Sequence, residues 1–262
     1  MTAIRFILLA AAIAASATAR AGPSIFADPD PQKMDFSAAT AHDPISAVVG
    51  KALVHYLQHQ YELSAREFSI AIARYPKRVD FYERRCLVYL GWDGHDDLAL
   101  ADCDKAMALR GAPDADLIVD RGDALAGLGR YEEAVAEYSH ALEIDPKTFR
   151  GTLYRCRARA MWGQELDEAW NDCASYSNTS GGDVLSHEAM ALIRLRAGRP
   201  AHAIGEADKA LAIYAKRAPS FYVRGLAKRK AGDTAGGDAD VAAAEALDPN
   251  IAGTYAKYGV TP

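Results

Sequence analysis

The residues whose chemistry is most constrained by spacing are the four cysteines of this 262-residue chain. Cys86 and Cys103 lie 17 positions apart, Cys156 and Cys173 also lie 17 apart, and the second pair is displaced from the first by 70. Catalytic thiol exchange normally uses an accessible C-x-x-C, which is absent. A structural zinc site wants ligands paired at C-x-x-C-like spacing, and these cysteines are not so placed. Two disulfides are the favoured reading, with three connectivities open to four cysteines. The alternative is buried free thiols acting as small apolar fillers. The displacement by 70 also matches Arg85 to Arg155, Trp92 to Trp162, Ala99 to Ala169 and Asp102 to Asp172. The two cysteine-bearing stretches are therefore sister copies of one variant.

Other chemistry is sparse. No G-x-x-x-x-G-K-[ST], G-x-G-x-x-G, G-x-S-x-G or H-E-x-x-H occurs. His55 and His59 stand four apart, a spacing that suits a shared metal but more often marks a polar helix face. No carboxylates form the isolated, apolar-flanked pair that acid–base catalysis needs. We therefore nominate no catalytic residue, metal site or cofactor, and expect no enzyme activity. With 30 Lys and Arg against 35 Asp and Glu the net charge is −5, which argues against a broad nucleic-acid-binding surface. Half the residues are hydrophobic and 25% are charged, the balance of a folded chain.

The first 21 residues have the layout of a secretory signal peptide: Arg5, an apolar run from Phe6 to Ala15, then the small-x-small sites Ala17-Thr18-Ala19 and Ala19-Arg20-Ala21. The run is too short for a span of about 20 residues, so no membrane span is expected after cleavage. Removing Arg5 and Arg20 leaves 28 bases against 35 acids, a net charge of −7. A periplasmic or secreted location follows, and disulfides suit it. Residues 22–44 read as a flexible arm broken by Pro23, Pro29, Pro31 and Pro44.

The rest of the chain repeats. Leu128-Gly129-Arg130-Tyr131-Glu132-Glu133-Ala134, followed by Tyr138, Ala141, Leu142 and Asp145-Pro146, resembles the tetratricopeptide repeat. Small residues (Gly122, Ala134, Ala141) let two helices cross closely, and Tyr138 fills the wedge between repeats. The same frame returns as Ala52, Phe68 and Ala71, as Cys86, Ala99 and Cys103, as Cys156, Ala169 and Cys173, as Ala191, Ala203 and Ala207, and as Gly225, Gly237 and Val241. Six repeats are expected at 45–78, 79–113, 115–148, 149–183, 184–217 and 218–250, with a C-terminal cap at 251–262. No alternating apolar and polar run suggests a sheet.

The resemblance implies an all-α, right-handed superhelical solenoid in which each repeat leans on the next. In each sister copy one cysteine takes the small-residue site of the first helix. The other takes the site held by Phe68 and Tyr138 elsewhere, and these sites face each other. This favours Cys86–Cys103 and Cys156–Cys173. Arg85, Arg121, Arg155 and Arg224 on first helices are expected to pair with Asp102, Glu137, Asp172 and Asp240 on second helices, and Lys51 with Glu67. The resemblance also implies a groove lined by first helices. Projection gives Asp116, Val119 and Asp123, with Asp120 beside them, then Arg150, Leu153 and Arg157, then Glu188 and Leu192, then Tyr222 and Arg229. Charge would then run from acidic to basic and orient a ligand. The family's chaperone clamp of paired Lys and Asn is replaced by Val49 and Leu53, and by Val119 and Asp123. A chaperone tail is therefore not implied. The function expected is a non-catalytic scaffold that binds a protein or peptide segment. The alternatives are an accessory part of an envelope or cell-wall enzyme system, or a self-associating element.

Overall fold

The protein is described here by a computed structural model covering residues 44–261. The expected signal peptide and all of the Pro-rich arm but Pro44 lie outside the described residues. Among these every element is a helix, and the helices alternate with short turns. The first four are α1 (Pro44–Leu57), α2 (Tyr61–Arg74), α3 (Val79–Leu90) and α4 (Asp96–Arg110). The next four are α5 (Ala115–Gly127), α6 (Tyr131–Ile144), α7 (Phe149–Trp162) and α8 (Leu166–Ser180). Then come α9 (Val184–Arg196), α10 (Pro200–Ile213), α11 (Ala218–Lys230), α12 (Thr234–Leu247) and the short α13 (Ile251–Ala256).

The chain divides into two compact units, one ending at Pro113 and one beginning at Asp114. The periodicity by itself reads as one unbroken array. Three residues between positions 111 and 114 punctuate it. Gly111 takes a left-handed φ of 69° and ends α4, Pro113 has no N–H to extend a helix, and the Asp114 side chain accepts from the Leu117 N–H at 3.0 Å and opens α5.

In the first unit, α1 and α2 cross where side chains are small. The Ser64 hydroxyl donates to the Ala52 carbonyl at 2.8 Å, and Ser64 and Ala52 are fully buried. Phe68, Phe81 and Val88 fill the space beside this crossing. Cys86 of α3 is joined to Cys103 of α4 with Cα atoms 5.7 Å apart, within the range a disulfide allows.

In the second unit the first helices α5, α7, α9 and α11 touch in succession and form one continuous face. Close approach again depends on missing side chains. A Cβ on Gly122 would stand 2.6 Å from a ring carbon of Tyr138, and one on Gly225 would stand 2.8 Å from the Gly237 carbonyl oxygen. Cys156 of α7 is joined to Cys173 of α8 with Cα atoms 5.5 Å apart. Asp183 and Ser186 form a reciprocal capping box at the start of α9.

The expected ion pairs form in four helix pairs. Arg85 grips Asp102 through two bonds of 2.6 and 2.7 Å, Arg155 grips Asp172 at 2.8 and 2.7 Å, and Arg224 grips Asp240 at 2.7 Å twice. Arg121 reaches Glu137 through one bond of 2.6 Å. The bidentate arginines also do something that residue spacing does not reveal. Their remaining nitrogen donates backward to the preceding second helix: Arg85 to Ser69 at 2.7 Å, Arg155 to Ser139 at 3.2 Å and Arg224 to Asp208 at 2.7 Å. Each is thus a staple within one helix pair and between two. Lys51 and Glu67 do not follow; they border an open surface depression together with Val54 and His55.

Candidate functional site

The face formed by α5, α7, α9 and α11 is where the expected groove residues lie, and most are not open to solvent. Val119, Asp123, Arg150, Arg157, Glu188, Leu192 and Tyr222 are all buried. Asp116 keeps a side-chain exposure of 55% and Arg229 of 29%. The expected acidic-to-basic gradient is also replaced by something else, since the charges pair with each other between neighbouring first helices. Arg150 Nη2 on α7 lies 2.7 Å from Asp120 Oδ1 and 3.1 Å from Asp123 Oδ2 on α5. Arg217, just before α11, grips both oxygens of Glu188 on α9 at 3.0 and 2.7 Å, and the Ser220 hydroxyl donates to Glu188 at 2.6 Å. Arg229 bonds Asp238 on α12 at 2.7 Å. The physical reason is desolvation: a buried charge is tolerated only with a partner. Projection onto a helix wheel gives the face, but not whether that face is covered.

Electrostatics follow from burial. Desolvation pushes the Asp123 carboxyl up to about 7, with Arg150 opposing and the Asp120 charge reinforcing the rise. The Tyr138 phenol donates to Asp123 at 2.7 Å, and burial followed by the Asp123 charge raises it well above the ordinary phenol range. Burial by itself would lower Arg150, but the carboxylates of Asp120 and Asp123 outweigh it and raise the guanidinium above its usual value. Such groups tie neighbouring helices together.

What covers the face is the C-terminal segment. Ile251 and Tyr255 on α13, and Val260 beyond it, are buried. The Tyr255 ring stands 5.1 Å from the Tyr222 ring on α11, and burial lifts the Tyr255 phenol above its ordinary value. Tyr258 goes further back along the unit. Its ring meets that of Tyr131 edge-on at 4.7 Å, and its carbonyl accepts from Arg196 Nη2 at 2.7 Å while the same nitrogen donates to the Met161 carbonyl at 2.9 Å. Gly129, with a left-handed φ of 76°, closes the α5–α6 turn beneath it, and a Cβ there would stand 3.1 Å from the Tyr258 hydroxyl. Sequence reasoning assigned 251–262 as a cap and missed Arg196, Arg217, Tyr255 and Tyr258. The available signal was two tyrosines three apart between Ile251 and Val260, beyond the last repeat.

Elsewhere, His55 and His59 take separate partners: Nδ1 of His55 lies 2.8 Å from Gln60 Oε1, and that of His59 lies 2.8 Å from the Tyr61 hydroxyl. Among the described residues no group of three or more His, Cys, Asp or Glu is placed to hold a metal ion, and no helix is long and apolar enough to cross a membrane.

Comparison with known proteins fits this architecture. Residues 115–148 match the tetratricopeptide repeat family. No curated protein matches the chain by sequence. Among solved structures, a tetratricopeptide repeat protein from Parabacteroides merdae superposes with a TM-score of 0.67 at 18% identity, covering 84% of this chain and 86% of that one. PilW, a type IV pilus biogenesis factor, gives 0.65 at 18% identity, covering 80% of this chain and 96% of that one. MamA from residue 41 onward, from Desulfovibrio magneticus, gives 0.52 at 17% identity, covering 66% and 96%. At these identities the likeness is one of fold. Residues 115–148 thus form a tetratricopeptide repeat, and the fold around them is an all-α repeat solenoid of the kind seen in tetratricopeptide repeat proteins.

Proposed function

We propose that this protein is an exported, non-catalytic scaffold, periplasmic or secreted, that holds a segment of another protein against its first-helix face. Its six helix pairs are read as six repeats, at 45–78, 79–113, 115–148, 149–183, 184–217 and 218–250. The observation that carries the reading is that α5, α7, α9 and α11 form one continuous face that already holds a stretch of polypeptide, the segment from Ile251 to Val260. A face that grips backbone through Arg196 and side chains through aromatic contacts has the means to bind a peptide. The two disulfides support export, because such bonds persist in oxidising compartments.

Two experiments test this. Residues 1–43 fused to an alkaline phosphatase that is active only outside the cytoplasm should give active enzyme; inactivity removes the exported reading. Crosslinking of the tagged full chain in intact cells should enrich one or more proteins over an untagged control. If nothing is enriched and light scattering shows dilution-dependent mass, the self-associating element replaces the scaffold.

A further inference from the structure

The reading above leaves open what the first-helix face recognises. The C-terminal segment supplies an answer, because it does more than a cap needs to do. A cap has only to cover the last helix pair, here α11 and α12. Ile251 and Tyr255 do so, with Tyr255 against Tyr222. Tyr258 instead lies on the α5–α6 turn of the unit's first helix pair, against Gly129 and Tyr131. Its carbonyl is held by Arg196 at the end of α9, and that guanidinium also holds the last turn of α7 through Met161. One short segment therefore reaches three helix pairs of the unit directly and the fourth, α7–α8, through Arg196.

Two features distinguish this contact from ordinary core. First, α13 has six residues, too few to be helical on its own. Its order comes from docking, and it follows Asp248-Pro249-Asn250, a connection closed by the Asn250 N–H donating to the Asp248 carboxylate at 2.9 Å and the Ile251 N–H donating to the Asp248 carbonyl at 3.1 Å. Second, the recognition is that of a ligand. Arg196 reads a backbone carbonyl, which any peptide offers. The two tyrosines sit against aromatic partners, and Gly129 leaves room for the second.

We propose that the first-helix face of the 114–262 unit is a binding site for short segments carrying two tyrosines three residues apart, and that the chain's own Tyr255 and Tyr258 are its resting occupant. The inference deepens the scaffold reading and rests on it. A tethered occupant acts at an effective concentration in the millimolar range, so an external segment meets a site whose free fraction is small and binds with correspondingly reduced apparent affinity. Loosening the tail should therefore tighten external binding.

The probe is a fluorescein-labelled synthetic peptide of residues 249–262, titrated by anisotropy into the full-length chain. The Tyr258→Ala chain should bind it about 10-fold more tightly than the wild type, in keeping with loss of a tethered competitor. The same peptide with Tyr258→Ala should bind neither chain. Equal binding to both chains, or binding to neither while circular dichroism shows the variant folded, overturns the proposal. Should the variant fail to fold, hydrogen exchange on the wild-type chain decides. Amides of 251–260 should exchange about 100-fold faster than those of α11, as expected for a docked segment that opens separately. Exchange of both at one common rate makes the segment core and rejects the proposal. The natural partner plays no part in these measurements, so their failure leaves the crosslinking result standing, and the reverse also holds.

Discussion

Arg150 on α7 faces two carboxylates of α5 at once, with Nη2 2.7 Å from Asp120 and 3.1 Å from Asp123. Asp123 is 3% exposed and Asp120 8%. Removing the guanidinium would take from two buried acids the cation that lies within 3.1 Å of both. Arg150→Met is expected to destabilise the protein by about 3–5 kcal/mol, and adding Asp123→Asn to it should recover part of that. Urea denaturation at pH 7 measures both, and a cost for Arg150→Met below 1 kcal/mol would contradict the burial argument.

Asp123 also gives a pH dependence. Burial pushes its carboxyl up to about 7 from the ordinary 3.8. The folded state then holds the proton more tightly than the unfolded chain does. Its contribution to stability is complete below about 3.8 and is lost as pH rises through about 7. Asp123→Asn should flatten the fall in thermal midpoint between these limits. An unchanged slope in the variant would assign the dependence to other groups.

The disulfides each close a loop of 17 positions. In the chain-entropy account such a loop contributes roughly 3 kcal/mol. Paired Cys→Ala variants at 86 and 103, or at 156 and 173, should each lose about that much. A non-reducing peptide map should link 86 to 103 and 156 to 173; a fragment joining 86 to 156 would be incompatible with the fold.

Two glycines differ in what surrounds them. A methyl on Gly122 meets a Tyr138 ring carbon at 2.6 Å, whereas on Gly225 it meets the Gly237 backbone oxygen at 2.8 Å and a Val241 methyl at 2.9 Å. Overpacking commonly costs about 1–3 kcal/mol. Gly225→Ala should fall at the upper end, because a main chain yields less readily than a ring. Denaturation midpoints at matched m-values order the two.

The Arg155 staple predicts coupling between helix pairs. Arg155 holds Asp172 in its own pair and Ser139 in the preceding one. A double-mutant cycle of Arg155→Ala with Ser139→Ala should show coupling of about 1 kcal/mol. Strict additivity would reduce that contact to a bystander.

Much of this was legible in residue order. The recurrence of Ala99, Ala134, Ala169 and Ala203 marks the helix crossings, because only small side chains let helices approach there. The spacing of 17 shared by both cysteine pairs places each across one helix pair. The arginines before each crossing point to their carboxylates because both ends lie within one repeat. These are short-range relations, and a repeat writes its short-range contacts into its own period.

The groove shows where that legibility stops. Helix projection identified Val119, Asp123, Arg150, Arg157, Glu188, Leu192 and Tyr222 as one face, and they do share it. The contact of Tyr258 with the α5–α6 turn, by contrast, joins residues more than 100 positions apart. No local period encodes such a contact. The sequence by itself determined the helices and their pairing, since those follow from side-chain size and spacing inside one repeat, and through the resemblance it favoured the cysteine partners that the structure joins. Only the tertiary structure decided that the charges of the first-helix face pair with one another and that the C-terminal tyrosines cover it, since burial is set by what the distant chain brings to the surface.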